Sequence, residues 1–157
     1  MRRAAERAPL VRLVNVYRAG GIRPGAVEFL YRLLEERPRV ANISHRAMPT
    51  MEQHRRFVRS RPYRAWFLVE AAAPGELVGS VSVTMRNEIG ISIRKDRQRK
   101  SYARAALRAL LATLSPLKGV PSLRRGRFLA NVAPENRRAH ELFKGLGGRA
   151  IQVTYEL

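Results

Sequence analysis

Residues 10–16 (LVRLVNV) form an apolar run broken only by Arg12 and Asn15, and this pattern predicts a first strand. A turn-rich connector, Gly20-Gly21-Ile22-Arg23-Pro24-Gly25, follows it. The connector has the glycine spacing of a phosphate-binding loop but lacks the Lys-Ser/Thr that would complete one. Across residues 26–36, Val27, Leu30, Tyr31, Leu33 and Leu34 recur at helical spacing, and Pro38 ends the helix. Residues 50–60 predict a second helix, with Thr50 placed to cap its start and Gln53 completing a capping box.

The period then shortens. Residues 65–71 (AWFLVEA) are apolar almost throughout, as suits a strand buried on both faces. Pro74-Gly75 turns the chain into residues 77–84, where Leu77, Gly79, Val81 and Val83 alternate with Val78, Ser80, Ser82 and Thr84. Residues 88–93 (EIGISI) alternate most cleanly, with Ile89, Ile91 and Ile93 on one face and Glu88, Gly90 and Ser92 on the other.

A polar, basic segment, residues 94–100, leads from this strand to residues 101–114. There Ala103, Ala106, Leu107, Leu110, Leu111 and Leu114 make one helical stripe, which Pro116 terminates. Residues 127–132 read as another strand. Residues 136–146 predict a last helix, with Ala139, Leu142, Phe143 and Leu146 on its core face, an Arg137–Glu141 pair one turn apart, and Gly147 as its stop. Residues 151–157 alternate once more. The order is βααβββαβαβ, a mixed α/β chain forming a single domain over residues 10–157, preceded by a basic extension at residues 1–9.

Of 157 residues, 31 are Lys or Arg and 12 are Asp or Glu, so the formal charge is +19. Only Lys95, Lys100, Lys118 and Lys144 are lysines, and the arginines are spread along the whole chain. A field of that sign concentrates anionic ligands, whether nucleic acids, acidic membranes or phosphorylated small molecules. It names no partner by itself, because no helix-turn-helix, zinc finger or aromatic array accompanies it. The absence of cysteine excludes disulfides, thiolate metal sites and thiol nucleophiles, and the spacing of His45, His54 and His140 contains no HExxH. Residues 10–16 are too broken for a signal peptide, and no run is long enough to span a membrane. A soluble, cytoplasmic protein that uses no metal is expected.

The most informative junction is the strand, basic loop and helix over residues 89–111. A helix start presents unpaired N–H groups and a partial positive charge, so the loop RQRKSYA suits a phosphate or pyrophosphate. Ser101 can cap, while Arg97, Arg99 and Lys100 add charge. The same residues also suit a solvated helix start with no ligand.

Gln98-Arg99-Lys100-Ser101-Tyr102-Ala103 resembles the Q/R-x-x-G-x-G/A acetyl-CoA loop of the GNAT superfamily of N-acetyltransferases, followed as in that family by an apolar helix. Residues 130–136 (ANVAPEN) and 139–147 (AHELFKGLG) are similar to its second hallmark, a strand, a P-x-N turn and a helix ending near L-Y-E-K-L-G-F. Glu88-Ile89-Gly90 is similar to the E-I-G that often opens the preceding strand. The likeness covers residues 76–157, and the upstream elements match the family's order.

The resemblance implies a splayed central sheet, acetyl-CoA in the gap, and direct attack of a neutral amine on the thioester. The main chain of Ile91, Ser92 and Ile93 would pair with the pantetheine arm. Gln98, Arg99, Lys100, Ser101, Tyr102 and Ala103 would wrap the pyrophosphate, and Asn131 and Asn136 match asparagines that border the cofactor in related proteins. Glu88 is the expected base, because its carboxylate leaves the isoleucine stripe beside the thioester position; a strand-edge carboxylate paired with an arginine is the alternative. Ser101 replaces a glycine of the loop, so its side chain must point away from the phosphates or bind them. Phe143 replaces the family's frequent acid, a tyrosine, leaving Tyr102, Tyr155 or water for that role. His140, one turn from Asn136, could face the cofactor or the surface.

The acceptor side is expected from residues 41–63, because the two early helices form the substrate wall in similar proteins. His45, Met48, His54, Tyr63 and Trp66 are its candidates. Arg46, Arg55, Arg56, Arg59, Arg61 and Arg64 would suit an anionic small-molecule amine, with an amino sugar, nucleotide-linked included, the favoured guess. A solvated helix face explains the same arginines. A peptide or protein amine, and a non-catalytic RNA- or DNA-binding module, are the alternatives; a homodimer is left open.

Overall fold

The computed structural model describes residues 10–38, 47–72 and 75–155. The basic extension at residues 1–9, His45, Arg46, Pro74 and the last two residues lie outside them. Along the chain run β1 (Val11–Asn15), a short hairpin of β2 (Tyr17–Arg18) and β3 (Gly21–Ile22), α1 (Ala26–Glu35), α2 (Met51–Arg59), β4 (Ala65–Ala71), β5 (Leu77–Val83), β6 (Ile89–Ile93), α3 (Tyr102–Thr113) and α4 (Arg137–Lys144). The main sheet has the order β1-β4-β5-β6 and is antiparallel throughout.

Side chains alternate across a strand, so each central strand feeds two cores. On one face α1 and α2 pack Phe29, Leu30, Leu33 and Val58 against Val16, Trp66 and Leu68. On the other, Ala106, Leu107 and Leu110 of α3 pack against Val69, Val78, Val81 and Val83. β4 is covered on both sides, as its almost wholly apolar run predicts. Removing Leu107 and Leu110 from water stabilises the layer by about 1.5–3 kcal/mol each, whereas Leu111, expected on the same stripe, stands exposed. Gly79 sits where β5 meets β6, and a Cβ there would collide with the Ser92 carbonyl, so only glycine allows this approach.

Cross-strand register fixes which residues share a face. Trp66 pairs with Ser82 and Ser82 with Gly90; Leu68 pairs with Ser80 and Ser80 with Ser92. Trp66, Ser80, Gly90 and Ser92 therefore share the α1/α2 face, and Glu88, two positions before Gly90, starts on it as well. The predicted capping box of α2 is present: Gln53 N donates to Thr50 Oγ1 at 3.2 Å, and Thr50 N donates to Gln53 Oε1 at 2.8 Å.

Three features differ from the expected order. The connector after β1 contains the β2–β3 hairpin, which Gly20 and Gly21 turn at positive φ. Within residues 127–132 only Leu129 makes a ladder contact, a single parallel bridge to Glu88. Residues 151–155 form no strand among the described residues, and Val153 and Tyr155 stand 70% and 82% exposed. Alternation assigns a face but supplies no partner, and a strand exists only through its partner's ladder.

Candidate active site

The sheet opens beside β6. Ile89 N donates to Leu129 O at 2.7 Å and Leu129 N donates to Asn87 O at 2.9 Å. In a parallel ladder the next bonds would join Asn131 to Ile89 and Ile91. Among the described residues neither is made, so the two segments part after Leu129. Ladder alternation turns the main-chain groups of Ile91 and Ile93 away from β5 and toward this split. Ile93 O is taken by Gln98, whose Nε2 donates to it at 3.2 Å, while Ile91 has no main-chain partner on this side among the described residues. Ser92 turns its main chain to β5.

Glu88 lies at the head of the split, half-buried. Its Oε2 accepts from the Thr84 hydroxyl at 3.3 Å, and its Oε1 accepts from Asn131 Nδ2 at 3.2 Å. The Thr84 oxygen also accepts from the main-chain N–H of Arg86 and of Glu88, each at 3.1 Å, which closes the turn on the carboxylate. No arginine among the described residues forms an ion pair with Glu88.

At the other end of the split lies the basic loop. Arg99 and Ser101 stand at φ 60 and φ 63, in the left-handed region that favours glycine. This conformation breaks the helical bond pattern, so the first internal bond into α3 runs from Ala105 N to Ser101 O. The N–H groups of residues 98–104 have no main-chain acceptor among the described residues, and Ser101 makes no capping bond through its side chain. A run of free N–H groups at a helix start, with Arg99 and Lys100 exposed beside it, fits a diphosphate. Arg97 has a different job. It and Arg94 both bind Glu76, at 2.8 Å and 2.6 Å respectively, which pins the loop to the start of β5. The Arg97 bond and the two positive charges hold the Glu76 carboxyl below its ordinary range.

A family model described as an acetyltransferase (GNAT) domain matches residues 22–149. The chain belongs to the GNAT family of acetyltransferases. It is therefore an acetyl-CoA-dependent N-acetyltransferase, with acetyl-CoA as co-substrate. Solved structures share the fold. A domain from Methanocaldococcus jannaschii is 21% identical over 93% of this chain and 92% of its own, with a TM-score of 0.72. An acetyltransferase from Thermus thermophilus is 22% identical over 90% and 88%, with a TM-score of 0.64. A dodecameric spermidine N-acetyltransferase from Vibrio cholerae is 19% identical over 88% and 78%, with a TM-score of 0.57. No curated protein sequence matches the chain.

One split thus has Glu88 and Asn131 at its head, the open main chain of Ile91 along it and the loop from Gln98 to Ala103 at its other end. Asn136 caps α4, its Oδ1 accepting from Ala139 N at 3.2 Å, and His140 hydrogen-bonds the Ala133 carbonyl at 3.2 Å. Tyr102 begins α3 and packs against the α3-side core, whereas Tyr155 is in the exposed final segment. Phe143 packs against the same core. Two residues had no signal in motif or period. Arg138 on α4 donates to Gln98 Oε1 at 3.1 Å and so adds a cation to the basic loop. Asn87, buried in the β5–β6 turn, ties together the segments that diverge. An asparagine in a tight turn is a sign of a left-handed position, which is the only trace it leaves in the sequence.

Beside α2, Phe57, Tyr63 and Trp66 form an edge-to-face cluster with ring centroids 4.8–6.1 Å apart. Burial raises the Tyr63 phenol above its ordinary value, and Trp66 Nε1 donates to Ser80 Oγ at 2.8 Å. Met48 is exposed, before α2. His54 is 5% exposed: its Nε2 donates to Val27 O at 3.1 Å and its ring meets Tyr31 edge-on, which places it between α1 and α2. Arg61 covers the Tyr17 ring at 4.5 Å, and Arg64 donates to Ser115 O at 2.9 Å. No helix among the described residues is long and apolar enough to cross a membrane.

Proposed function

We propose that this enzyme acetylates the primary amine of a small, anionic acceptor by direct attack, with Glu88 as the base and an amino sugar, nucleotide-linked included, as the favoured class. The observation that carries the reading is Glu88 itself. It is a carboxylate at the head of the split, held in place by Thr84 and Asn131 and paired with no arginine among the described residues. Its strand position puts it on the sheet face that α1, α2 and the aromatic cluster cover.

Acetyl-CoA, when bound, supplies an activated acetyl thioester. The amides of residues 98–104, with Arg99, Lys100 and Arg138, hold its phosphates, and the open main chain of Ile91 lines its arm. As the amine nitrogen bonds to the acetyl carbon, Glu88 accepts the proton that nitrogen releases. The thiolate that departs is protonated by Tyr102 or by water. Phe57, Tyr63 and Trp66 limit the water around the amine, which keeps it neutral and nucleophilic.

Charge supports an anionic acceptor. The Vibrio cholerae relative is named for spermidine, a polycation. Here the net charge is +19, and Arg56 and Arg59 on α2 form no ion pair among the described residues. That field repels a polycation and draws an anion to the site.

The test is thiol release from acetyl-CoA with a panel of amines: phosphorylated and nucleotide-linked amino sugars, spermidine and an amino-terminal peptide. Preferential turnover of the anionic amines is expected. Turnover of spermidine or peptide alone contradicts the acceptor class, and a salt-sensitive thermal shift with RNA but none with acetyl-CoA contradicts the enzymatic reading.

A further inference from the structure

Asn87 is fully buried in the turn between β5 and β6 and stands at φ 64. Its Nδ2 donates to Leu117 O at 2.9 Å and to Arg125 O at 2.8 Å, and its Oδ1 accepts from Leu117 N at 2.8 Å. Its main-chain N–H donates to Thr84 O at 3.1 Å, and its carbonyl accepts from Leu129 N at 2.9 Å. Both amide hydrogens and every other hydrogen-bonding group of the residue are thereby engaged. One side chain holds two points of the connection between α3 and Leu129 against the turn that ends in Glu88.

The consequence is geometric. The bonds from Leu129 N to Asn87 O and from Ile89 N to Leu129 O flank Glu88, and the split opens just beyond them. Asn131, two positions beyond Leu129, is thereby set 3.2 Å from Glu88 Oε1. Arg124 reinforces the same joint, its Nη1 donating to Met85 O at 3.0 Å and its Nε to Lys118 O at 3.0 Å. Asn87 exposes no surface, so any effect it has on the reaction is transmitted through the groups it places.

We propose that Asn87 is a positioning residue for acetyl transfer: it pins the head of the split and so sets the Glu88 carboxylate against Asn131. The proposal rests on the reading of Glu88 as the base. An ordinary loop anchor would lower stability without acting through Glu88.

A double-mutant cycle separates these roles. Asn87→Gly deletes the clamp while tolerating the left-handed backbone. The rates of the wild type, Asn87→Gly, Glu88→Gln and the double variant are measured at saturating acetyl-CoA, with melting temperature and acetyl-CoA affinity recorded for each. Asn87→Gly is expected to lower kcat about tenfold in the wild type and less than about twofold in the Glu88→Gln background. An equal factor in both backgrounds, or no loss in the wild type, overturns the proposal. Wild-type turnover by Glu88→Gln alone defeats the assignment of the base instead. If Asn87→Gly does not fold, Asn87→Asp, which keeps the acceptor for Leu117 N and loses both donors, takes its place in the same cycle with the same expected pattern.

Discussion

The Asn131 amide donates to Glu88 Oε1 at 3.2 Å, joining one wall of the split to the carboxylate at its head. A hydrogen bond to a charged group contributes about 1.5–3 kcal/mol, which corresponds to roughly tenfold to a hundredfold in rate if it acts in the transition state. Asn131→Ala is therefore expected to lower kcat within that range. Steady-state kinetics beside direct acetyl-CoA binding will show it, and an unchanged kcat would mean that the bond does not orient the base.

The cations of the loop divide into two sets. Arg97 and Arg94 are committed to Glu76, whereas Arg99, Lys100 and Arg138 form no ion pair among the described residues. Arg99→Gln and Arg138→Gln should each weaken CoA binding about three- to tenfold at low salt, with a smaller loss at high salt. Arg97→Gln should leave that affinity nearly unchanged while lowering the melting temperature. Calorimetric titration of the variants with CoA decides this, and the reverse ranking would reassign the phosphate contacts.

Ser101 holds φ 63 with no capping bond in return. Because a side chain in the left-handed region costs about 1 kcal/mol relative to glycine, Ser101→Gly should stabilise the protein by about that amount. Denaturant unfolding measures it. A loss of stability would show that the hydroxyl has a partner which outweighs the strain.

Burial holds the His54 imidazole below its ordinary value, against the opposing pull of Val27 O and Glu28. The unfolded chain thus binds more protons than the native one between the folded pKa and the usual value near 6.5. Stability should fall as pH drops from about 7 through that window, and level off below the folded pKa. His54→Gln, which can still donate to Val27 O, should flatten the dependence. Equal slopes in the two proteins between about pH 5 and 8 would remove His54 as its source.

Much of the scaffold was legible because burial left periodic traces. β4 is apolar except for Glu70 and lies between two layers; β6 alternates and shows one face to each; Thr50 and Gln53 form the box that their spacing predicts. The loop was legible through its composition and its likeness to a family motif. Residues 151–155 show the limit of this reasoning, since Ile151, Val153 and Tyr155 alternate as a strand would and yet make no ladder among the described residues. A period encodes which side of a segment is apolar, whereas pairing depends on an edge elsewhere in the chain. The Glu76–Arg94, Gln98–Arg138 and Asn87–Leu117 contacts were hidden for the same reason: each spans 18 or more residues and leaves no local spacing to read. His54 is a related case, in which a polar side chain on the inner face of α2 finds its acceptor on α1.

Glu88 as the base of acetyl transfer is tested most directly by thiol release from saturating acetyl-CoA in the presence of the best amine, compared between the wild type and Glu88→Gln across pH. The expected result is a rate at least about a hundredfold lower in the variant, with acetyl-CoA affinity within about twofold of the wild type. A variant that releases thiol at the wild-type rate, with the same pH–rate profile, would contradict it.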